Sequence, residues 1–428
     1  MVRRSRRYLR ETLKAYLFLL PSFIVLGIFL FWPLVFSFVL SFFRWDFAHQ
    51  KNPYFIGLKN YMKLFEMRVH PNFSFLTSIS HTLMYLSISV VILVLFHTLF
   101  IERRKALRVS VFLGSILLLG FLTNHLSAIL FQILWIVIFV VILYSLKKYG
   151  YSKLIFDKFF SSTMILIVSY IVLRNFLLPY GKDIISYLNI AKEGSEFIKA
   201  IYNTTYYVIL STPIGIALSL GVALLLNRIT RLKAFYRTSY FIPFVTSIVA
   251  ISLVWQWIFN DDYGLLNYVL SWFKLGKIAW LKDERWTIPT IAIVAIWKNL
   301  GYNAVIFLAG LQNIDKFYYE AAEVDGATTF QKFIHITWPL LSPTTFFILV
   351  VSMIGSFKVF TMVYVLYEGY PGPYNLSGLT MVYYIFRKFY EEQRMGEACA
   401  AAYMLFLIIL VLTVFQLRIG KEKVQYEA

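Results

Sequence analysis

Residues 320–327 read EAAEVDGA, and this polar stretch lies between two long apolar runs. The residues before Gly326 are good helix formers, and a glycine can adopt the left-handed conformation that ends a helix. A second short helix can follow as far as His335, and we expect Pro339 to end it because proline interrupts helical hydrogen bonding. The sequence therefore predicts a helix-turn-helix between two apolar segments.

Apolar runs recur along the chain and indicate its class. Of its 428 residues, 59% are hydrophobic and 19% are aromatic. Many runs reach the roughly 20 residues that a helix needs to cross a bilayer core, whereas a soluble protein would show amphipathic stripes and membrane strands would be shorter and alternating. We therefore predict an all-α integral membrane protein. Its predicted spans are 16–43, 79–100, 107–122, 125–145, 159–178, 198–226, 238–259, 287–311, 344–366 and 398–417.

Positive charge is concentrated on one side of the predicted membrane. The formal net charge is +19. The basic positions on the side of the amino terminus are Arg3 to Arg7, Arg103 to Lys105, Lys147, Lys148, Arg228 to Arg237, Lys421 and Lys423. By the positive-inside rule, we expect both termini and the 320–327 stretch in the cytoplasm. Binding of nucleic acid would need a basic face on a folded soluble module, and the sequence offers no such module.

Two further features exclude other interpretations. The first apolar run has no small-residue cleavage site, so we expect a retained membrane anchor and not a signal peptide. Its Pro21 and Pro33 are tolerated in membrane helices. The single Cys399 excludes an internal disulfide framework, and no Cys/His cluster has the spacing of metal ligands.

The polar stretch belongs to an ordered series of motifs. Glu320-Ala321-Ala322 and Asp325-Gly326-Ala327 are followed by Ile336, Pro339 and Pro343. The other motifs are WD at 45–46, FIGLKNY at 55–61, NT at 203–204, FYR at 235–237, FNDDYG at 259–264, FLAGL at 307–311 and MGEA at 395–398. The series resembles the maltose-type, sugar-importing permeases of binding-protein-dependent ABC importers.

The resemblance implies a six-helix type I ABC importer permease core in the cytoplasmic (inner) membrane. Residues 1–66 would form a cytoplasmic tail, the first transmembrane helix and an external loop. Residues 196–428 would carry five more helices and a coupling loop at 312–340. The intervening segment, 67–195, holds about four predicted spans that simple members of the family lack. These inserted helices could form a peripheral hairpin pair or a docking surface for a receptor or another membrane protein.

The chain carries no recognisable nucleotide site. Nothing fits G-x-x-x-x-G-K-[ST], the loop that cradles phosphates, so ATP must be hydrolysed by a separate subunit. The resemblance implies two ATPase subunits that bind ATP and Mg, a second permease subunit, an extracytoplasmic solute-binding protein and membrane lipid, with no cofactor, metal or catalytic residue in this chain. The residues that it places against the ATPase are Glu320, Ala321, Ala322, Asp325, Gly326, Ala327 and Pro339.

The resemblance also implies a solute path between the helices that flank the coupling loop. The matching residues are Trp297, Gly301, Ser352, Gly355 and Ser356. An aromatic face and hydroxyl groups suit a sugar, but Trp and Ser serve in helix packing as well. Lys298 and Lys358 are costly inside a bilayer, which suggests a water-filled path, an interhelical pairing, or side chains that reach the interface.

The function expected from this resemblance is that of a pore-forming subunit in an ATP-driven importer of a mono- or oligosaccharide. Two other classes remain open. A secondary transporter would bring its own ion site, often a buried acid, and the predicted core spans contain none. A membrane enzyme that uses lipid-linked donors could bind a metal at Asp261 and Asp262, although such a pair is also typical of a solvated loop turn.

Overall fold

The computed structural model describes residues 2–49, 51–101, 166–171, 173–174, 181–228 and 233–423. The chain divides into two compact units. The first unit consists of residues 1–66 and 195–428, and the second unit consists of residues 67–194. The core therefore begins one residue before the predicted boundary at 196.

The described secondary structure is almost entirely helical. The helices are α1 (Val2–Leu26), α2 (Trp32–Leu40), α3 (Lys59–Leu64), α4 (Phe75–Ile101), α5 (Ile184–Gly194), α6 (Glu196–Arg228), α7 (Lys233–Val245), α8 (Ile248–Ile258), α9 (Leu265–Trp272), α10 (Glu284–Asn313), α11 (Lys316–Val324), α12 (Thr329–Lys332), α13 (Trp338–Leu340), α14 (Ser342–Phe357), α15 (Thr361–Leu366), α16 (Met381–Phe386) and α17 (Met395–Lys423). Further helical segments are the π-helical turns Gly27–Phe31, Phe333–Thr337 and Arg387–Glu391 and the 3-10 turn Phe47–His49. Residues 166–171 and 173–174 are also helical. Strands β1 (Phe43–Arg44) and β2 (Tyr54–Phe55) pair antiparallel, with Phe43 opposite Phe55.

Within the described residues, four helices are long and apolar enough to cross a membrane. They are Lys14–Leu40, Glu196–Asn227, Glu284–Asn313 and Met395–Gly420. Two bent pairs of helices raise the number to as many as six, and all of these segments belong to the first unit. The predicted fold class, an all-α membrane protein, is confirmed.

The predicted span 238–259 is not a single straight helix, because the chain bends between α7 and α8. The two helices meet at an angle of 96°. Pro243 lies inside α7 and lacks an N–H, and Ser247 has an extended backbone with ψ of 132°. Because α7 ends here, its last carbonyl oxygens have no following helical N–H groups, so the break needs an outside donor.

The predicted span 344–366 is also interrupted. Helix α14 ends at Phe357, and α15 begins only at Thr361. The Thr380 hydroxyl donates to the Val359 carbonyl oxygen at 2.9 Å, which satisfies a backbone group that the break exposes. The Gln256 amide does the same at the end of α15, donating to two carbonyl oxygens at 2.9 and 3.1 Å.

The core of the first unit lies where α6, α8, α10, α15, α16 and α17 meet. Phe259, Ile291 and Tyr383 are fully buried there. The predicted NT motif holds this core together, because the Asn203 amide donates to the Leu376 and Leu379 carbonyl oxygens at 3.2 and 3.1 Å. Its neighbour, the Thr204 hydroxyl, accepts from the Met381 N–H at 2.9 Å at the start of α16.

The second unit is built around α4 and α5. Tyr85, Met84 and Tyr170 are buried against one another. The fully buried Asp183 carboxylate accepts hydrogen bonds from the Tyr170 hydroxyl at 3.0 Å and the Ser186 N–H at 2.9 Å. The predicted spans 107–122 and 125–145 and most of 159–178 lie outside the described residues, whereas 79–100 falls within α4.

Candidate functional site: the 312–340 loop and a polar cavity

The polar stretch of the sequence forms α11, whose ends are closed by its own residues. At the start, the Asp315 carboxylate accepts a hydrogen bond at 2.9 Å from the Phe317 N–H. At the end, Gly326 has a φ of +75°, and its N–H donates to the Glu323 carbonyl oxygen at 3.0 Å. The next N–H, of Ala327, donates to the Ala322 carbonyl oxygen at 2.9 Å. This double pattern is the Schellman motif, which requires a left-handed residue and favours glycine.

Helix α12 begins with a capping box. The Gln331 N–H donates to the Thr328 hydroxyl at 3.4 Å, and the Gln331 side chain accepts from the Thr328 N–H at 2.8 Å. Between the helices, the Lys332 ammonium lies 2.6 Å from the Glu323 carboxylate. The predicted helix-turn-helix is therefore confirmed, and an ion pair links its two helices.

Pro339 does not end the second helix, contrary to the prediction. The chain passes through a π-helical turn at 333–337 into α13, and Pro339 occupies the first turn of α13. The Trp338 N–H donates to the Phe333 carbonyl oxygen, five residues back. This wider turn accommodates a residue without an N–H, and proline is compatible with the first turn of a helix. The helix ends after Leu340, where the chain bends by 63° into α14.

The outer surface of the loop is exposed and partly apolar. Glu320, Ala321, Asp325 and Gly326 are exposed, whereas Ala322, Ala327 and Pro339 are half-buried. Between them, the Val324 side chain is 89% exposed and the Phe330 side chain is 70% exposed. Exposed apolar side chains beside carboxylates are typical of a surface that a partner protein covers.

The loop is anchored firmly at both ends. Leu311 precedes it and Leu341 follows it, and both are buried in one cluster with Ile348. Gly310 allows α10 and α14 to approach closely, because an added Cβ would lie 2.5 Å from the Thr344 hydroxyl oxygen. A displacement of the loop would therefore move α10 and α14 with it.

A cavity of about 450 Å³ lies between α6, α10 and the broken ends of α14 and α15. Its polar lining residues are Tyr207, Ser211, Thr212, Lys298, Asn299, Tyr302, Asn303, Ser352, Ser356, Lys358 and Thr361. The Thr212 and Ser356 hydroxyl oxygens are 3.3 Å apart, so the two helices share a hydrogen bond across the cavity. The wall thus offers hydroxyl and amide groups inside the membrane-spanning part of the first unit.

The predicted solute-path residues divide into two groups. Ser352, Gly355 and Ser356 line the cavity. Trp297 and Gly301 do not, since the Trp297 ring packs against Trp255 with centroids 5.7 Å apart and Gly301 lies against the backbone of α7. The two residues are one helical turn apart and face away from the cavity side of α10, which Asn299 and Asn303 occupy instead. Participation of all five residues in a solute path stays a prediction.

Lys298 closes the broken end of α7. Its ammonium donates to the carbonyl oxygens of Pro243, Phe244 and Thr246 at 3.2, 2.8 and 2.9 Å. These are carbonyl groups that the helix break leaves without partners, so the interhelical pairing predicted for this lysine is present. Lys358 lines the same cavity, and no described residue forms an ion pair or hydrogen bond with its ammonium.

The adjacent carboxylates Asp261 and Asp262 lie in the turn after α8. Asp261 forms an ion pair with Lys282 at 2.8 Å, and the Asp262 side chain is 82% exposed. In the part of the chain that the structure describes, no three His, Cys, Asp or Glu residues gather as a metal site. The arrangement matches a solvated turn stabilised by neighbouring lysines.

Sequence reasoning missed a buried ionic cluster. Lys388 is 6% exposed, and its ammonium lies 3.2 Å from the Glu196 carboxylate and 2.8 Å from the Glu392 carboxylate. Glu397, at the start of α17, is also buried and lies 3.1 Å from Lys63. Glu397 lies just before the predicted span 398–417 and Glu196 lies just before 198–226, so the predicted spans themselves contain no acid, but α6 and α17 begin earlier and include these two carboxylates. The available signal was a carboxylate in the first turn of two apolar helices.

Comparison with known proteins places this architecture among transport permeases. Residues 211–421 match the family described as binding-protein-dependent transport system inner membrane component. The arabinooligosaccharides transport system permease protein AraP of Halalkalibacterium halodurans is 36% identical over 52% of this chain and 70% of its own length. The lactose transport system permease protein LacF of Rhizobium radiobacter is 35% identical over 53% of this chain and 77% of its own length.

Solved structures show the same likeness. The chain is similar to a chain in the crystal structure of a bacterial alginate ABC transporter in complex with alginate pentasaccharide-bound periplasmic protein, with a TM-score of 0.50 and 25% identity. The similarity covers 64% of this chain and 99% of that one.

Proposed function

We propose a sugar substrate and a coupling route for this chain, which belongs to the family of binding-protein-dependent transport system inner membrane components. The chain is a multi-pass inner-membrane permease subunit of a binding-protein-dependent importer. It is a transport subunit and not an enzyme, and ATP is hydrolysed by a separate subunit of such importers.

The proposed substrate is a mono- or oligosaccharide that passes through the 450 Å³ cavity. This cavity between membrane helices, with hydroxyl and amide groups in its wall, is the observation that carries the proposal. Ser352, Ser356 and Asn303 present hydroxyl and amide groups that can exchange hydrogen bonds with sugar hydroxyls. The volume falls within the range of about 300–1,000 Å³ that is typical of small-molecule sites. Relatives named for arabinooligosaccharides and lactose support the same class of substrate.

The proposed coupling element is the 312–340 loop. Glu320, Ala321 and Gly326 lie on its exposed side, and the ion pair between Lys332 and Glu323 links its two helices. Because the ends of the loop are packed into α10 and α14, which border the cavity, a partner that pushes the loop also moves the cavity wall. In this proposal the partner is one of two ATPase subunits, which bind ATP and Mg.

The remaining partners and the orientation belong to the same proposal. A second permease subunit would complete the pore, and an extracytoplasmic binding protein would deliver the sugar. Both termini and the coupling loop would lie in the cytoplasm, which the distribution of Lys and Arg supports. Reporter fusions after Phe330 should then give a cytoplasmic signal, and fusions within 372–380 should give an external one.

The coupling role is tested by changing the helix stop. Gly326→Pro removes the N–H that donates to the Glu323 carbonyl oxygen and cannot adopt a φ of +75°. We expect this variant, assembled with its partners in proteoliposomes, to lose the stimulation of ATPase activity by sugar-loaded binding protein. Glu320→Lys reverses an exposed charge on α11 and should weaken co-purification of the ATPase.

The matched control is Gly326→Asn, since asparagine tolerates the left-handed conformation better than other side chains. An added Cβ at this position meets nothing within 4 Å, so the control should retain stimulation. Full stimulation and transport by both Gly326→Pro and Glu320→Lys, with normal membrane insertion, would show that the loop does not couple the two subunits.

A further inference from the structure

The cavity between α6, α10 and α14 carries unbalanced positive charge. Lys298 and Lys358 line it, and the other lining residues that the structure describes are neutral. No Asp or Glu is among them. A cation within the thickness of a membrane is costly unless water, a counter-charge or backbone carbonyl groups compensate it, so the charge of this wall calls for a physical explanation.

Lys298 is compensated by hydrogen bonds but not by charge. An ammonium has three donors, and the three carbonyl oxygens at the end of α7 accept at 2.8 to 3.2 Å. No donor is left for a ligand. Its positive charge remains and acts on the cavity as a fixed field, because carbonyl dipoles do not neutralise it.

Among the described residues, the Lys358 ammonium has neither a hydrogen-bond partner nor an opposite charge. Lys358 lies in the break between α14 and α15, where its backbone N–H donates to the Gly355 carbonyl oxygen at 3.1 Å. Its side chain is exposed, and none of the described residues offers its ammonium a carboxylate or a hydrogen bond. The carboxyl end of α14 favours a nearby cation, but this effect is weak and does not replace a counter-charge. Three donors of this ammonium are therefore available at the cavity wall.

We infer that the transported solute is an anionic saccharide whose acidic group pairs with Lys358. The inference rests on the proposed sugar importer and narrows its substrate class. The Lys358 ammonium would bind the oxyanion, the fixed charge of Lys298 would attract it, and Ser352 and Ser356 would bind the neutral hydroxyls. A carboxylate and a phosphate have the same relevant chemistry, namely oxygen acceptors that carry negative charge.

The test compares acidic and neutral saccharides of equal size in the complete transporter, reconstituted in proteoliposomes with its binding protein. The probes are an oligogalacturonate, its neutral methyl ester and a sugar phosphate. We expect wild-type uptake and ATPase stimulation with the oligogalacturonate or the sugar phosphate, and these two arms distinguish a carboxylate from a phosphate. The neutral ester should be a poor substrate.

The Lys358→Met variant keeps the length of the side chain and removes its charge. We expect the KM for the anionic saccharide to rise at least about tenfold, because loss of one partner of a desolvated charge pair is strongly unfavourable. Residual uptake of the neutral ester should not change. Lys358→Arg should retain most of the wild-type KM, and Lys277→Met, outside the cavity on a side chain that is 70% exposed, should have no effect.

Three results separate the possible failures. Equal wild-type uptake of acidic and neutral saccharides, with KM values unaffected by Lys358→Met, would overturn the inference and leave the sugar importer intact. Loss of assembly in Lys358→Met, restored by Lys358→Arg, would overturn it in favour of a carboxylate on the second permease subunit. Stimulation by no saccharide of either kind, with transport of another solute class, would overturn the proposed function itself.

Discussion

Gly301 shows how a missing side chain sets the distance between two helices. A Cβ built on this residue would overlap the Tyr240 carbonyl group, so α7 and α10 touch here through their backbones. Small residues permit this close approach in membrane helices, where packing and not the hydrophobic effect holds helices together. The residue that family resemblance places on the solute path thus has a packing position in this structure.

Gly301→Ala should therefore destabilise the protein. Overpacking of a tight contact costs about 1–3 kcal/mol. The added methyl group would meet backbone atoms of α7, which cannot move aside as a flexible side chain could. We expect a lower midpoint of thermal unfolding, measured by size-exclusion chromatography of the heated, detergent-solubilised complex. Gly221→Ala in α6 is the matched control, because an added Cβ there meets nothing within 4 Å. Equal midpoints for the two variants would show that the contact tolerates a methyl group.

Two identical tripeptides, Trp32-Pro33-Leu34 and Trp338-Pro339-Leu340, have the same local structure. Each follows a π-helical turn, and in each case the tryptophan N–H donates to the carbonyl oxygen five residues before it. The wider turn accommodates the proline, which lacks an N–H and would clash with the carbonyl group four residues back. In these two tripeptides the proline therefore marks a change of helical pitch and not a helix end.

At the scale of elements, the start of α5 depends on one buried carboxylate. Burial alone would raise the pKa of Asp183, but hydrogen bonds from Ser186 and Tyr170 and the nearby charge of Arg174 outweigh it and lower this pKa. Arg174 and Asp183 form an ion pair. A carboxyl group with a lowered pKa in the folded state stabilises the fold above its unfolded pKa, and the contribution is lost as pH falls through the folded value.

The stabilising effect of Asp183 should therefore be present at neutral pH and disappear in acid. The unfolded pKa of Asp is about 3.9, so Asp183→Asn should lower the unfolding midpoint most above that pH. Below it, the difference between the variant and the wild type should shrink as the wild-type carboxylate becomes protonated. Asp262→Asn, on an exposed side chain, should give no pH-dependent difference. A difference between Asp183→Asn and wild type that is constant from pH 7 to pH 3 would contradict the assigned role.

At the scale of the whole molecule, the chain leaves the first unit after residue 66 and re-enters it at residue 195. The two flanks are in contact within the first unit, since the Ser195 hydroxyl donates to the Leu64 carbonyl oxygen at 3.0 Å. The rings of Phe65 and Phe197 also meet, with centroids 5.4 Å apart. The first unit thus forms a continuous structure around the point of insertion.

Removal of residues 67–194 should leave a permease that inserts and assembles. Joining Glu66 to Ser195 connects two segments that already touch, so little rearrangement is needed. We expect the shortened chain to co-purify with its partner permease and ATPase subunits at levels near those of the full chain. A control deletion of the same length that begins inside α6 should abolish assembly. Normal insertion of the shortened chain with loss of its partners would indicate that the second unit is a docking surface.

The amino-acid sequence by itself determined the class, the family and the helix-turn-helix formed by α11 and α12. Apolar runs depend only on composition along the chain, and the loop depends on residues at most a few positions apart, such as Gly326 and the carbonyl groups that its turn satisfies. Local spacing is enough to predict such structures, because their hydrogen bonds close within one or two helical turns.

Only the tertiary structure decided which residues form the cavity and where the core helices break. Lys298 reaches carbonyl groups more than fifty positions earlier in the chain, and Lys388 meets Glu196 across nearly half of its length. The rotation of α10 that points Asn299 and Asn303 into the cavity, and Trp297 and Gly301 away from it, follows from packing against α7 and α8. In spans that are apolar on all sides, periodicity does not mark an inner face, so contacts between distant segments decide it.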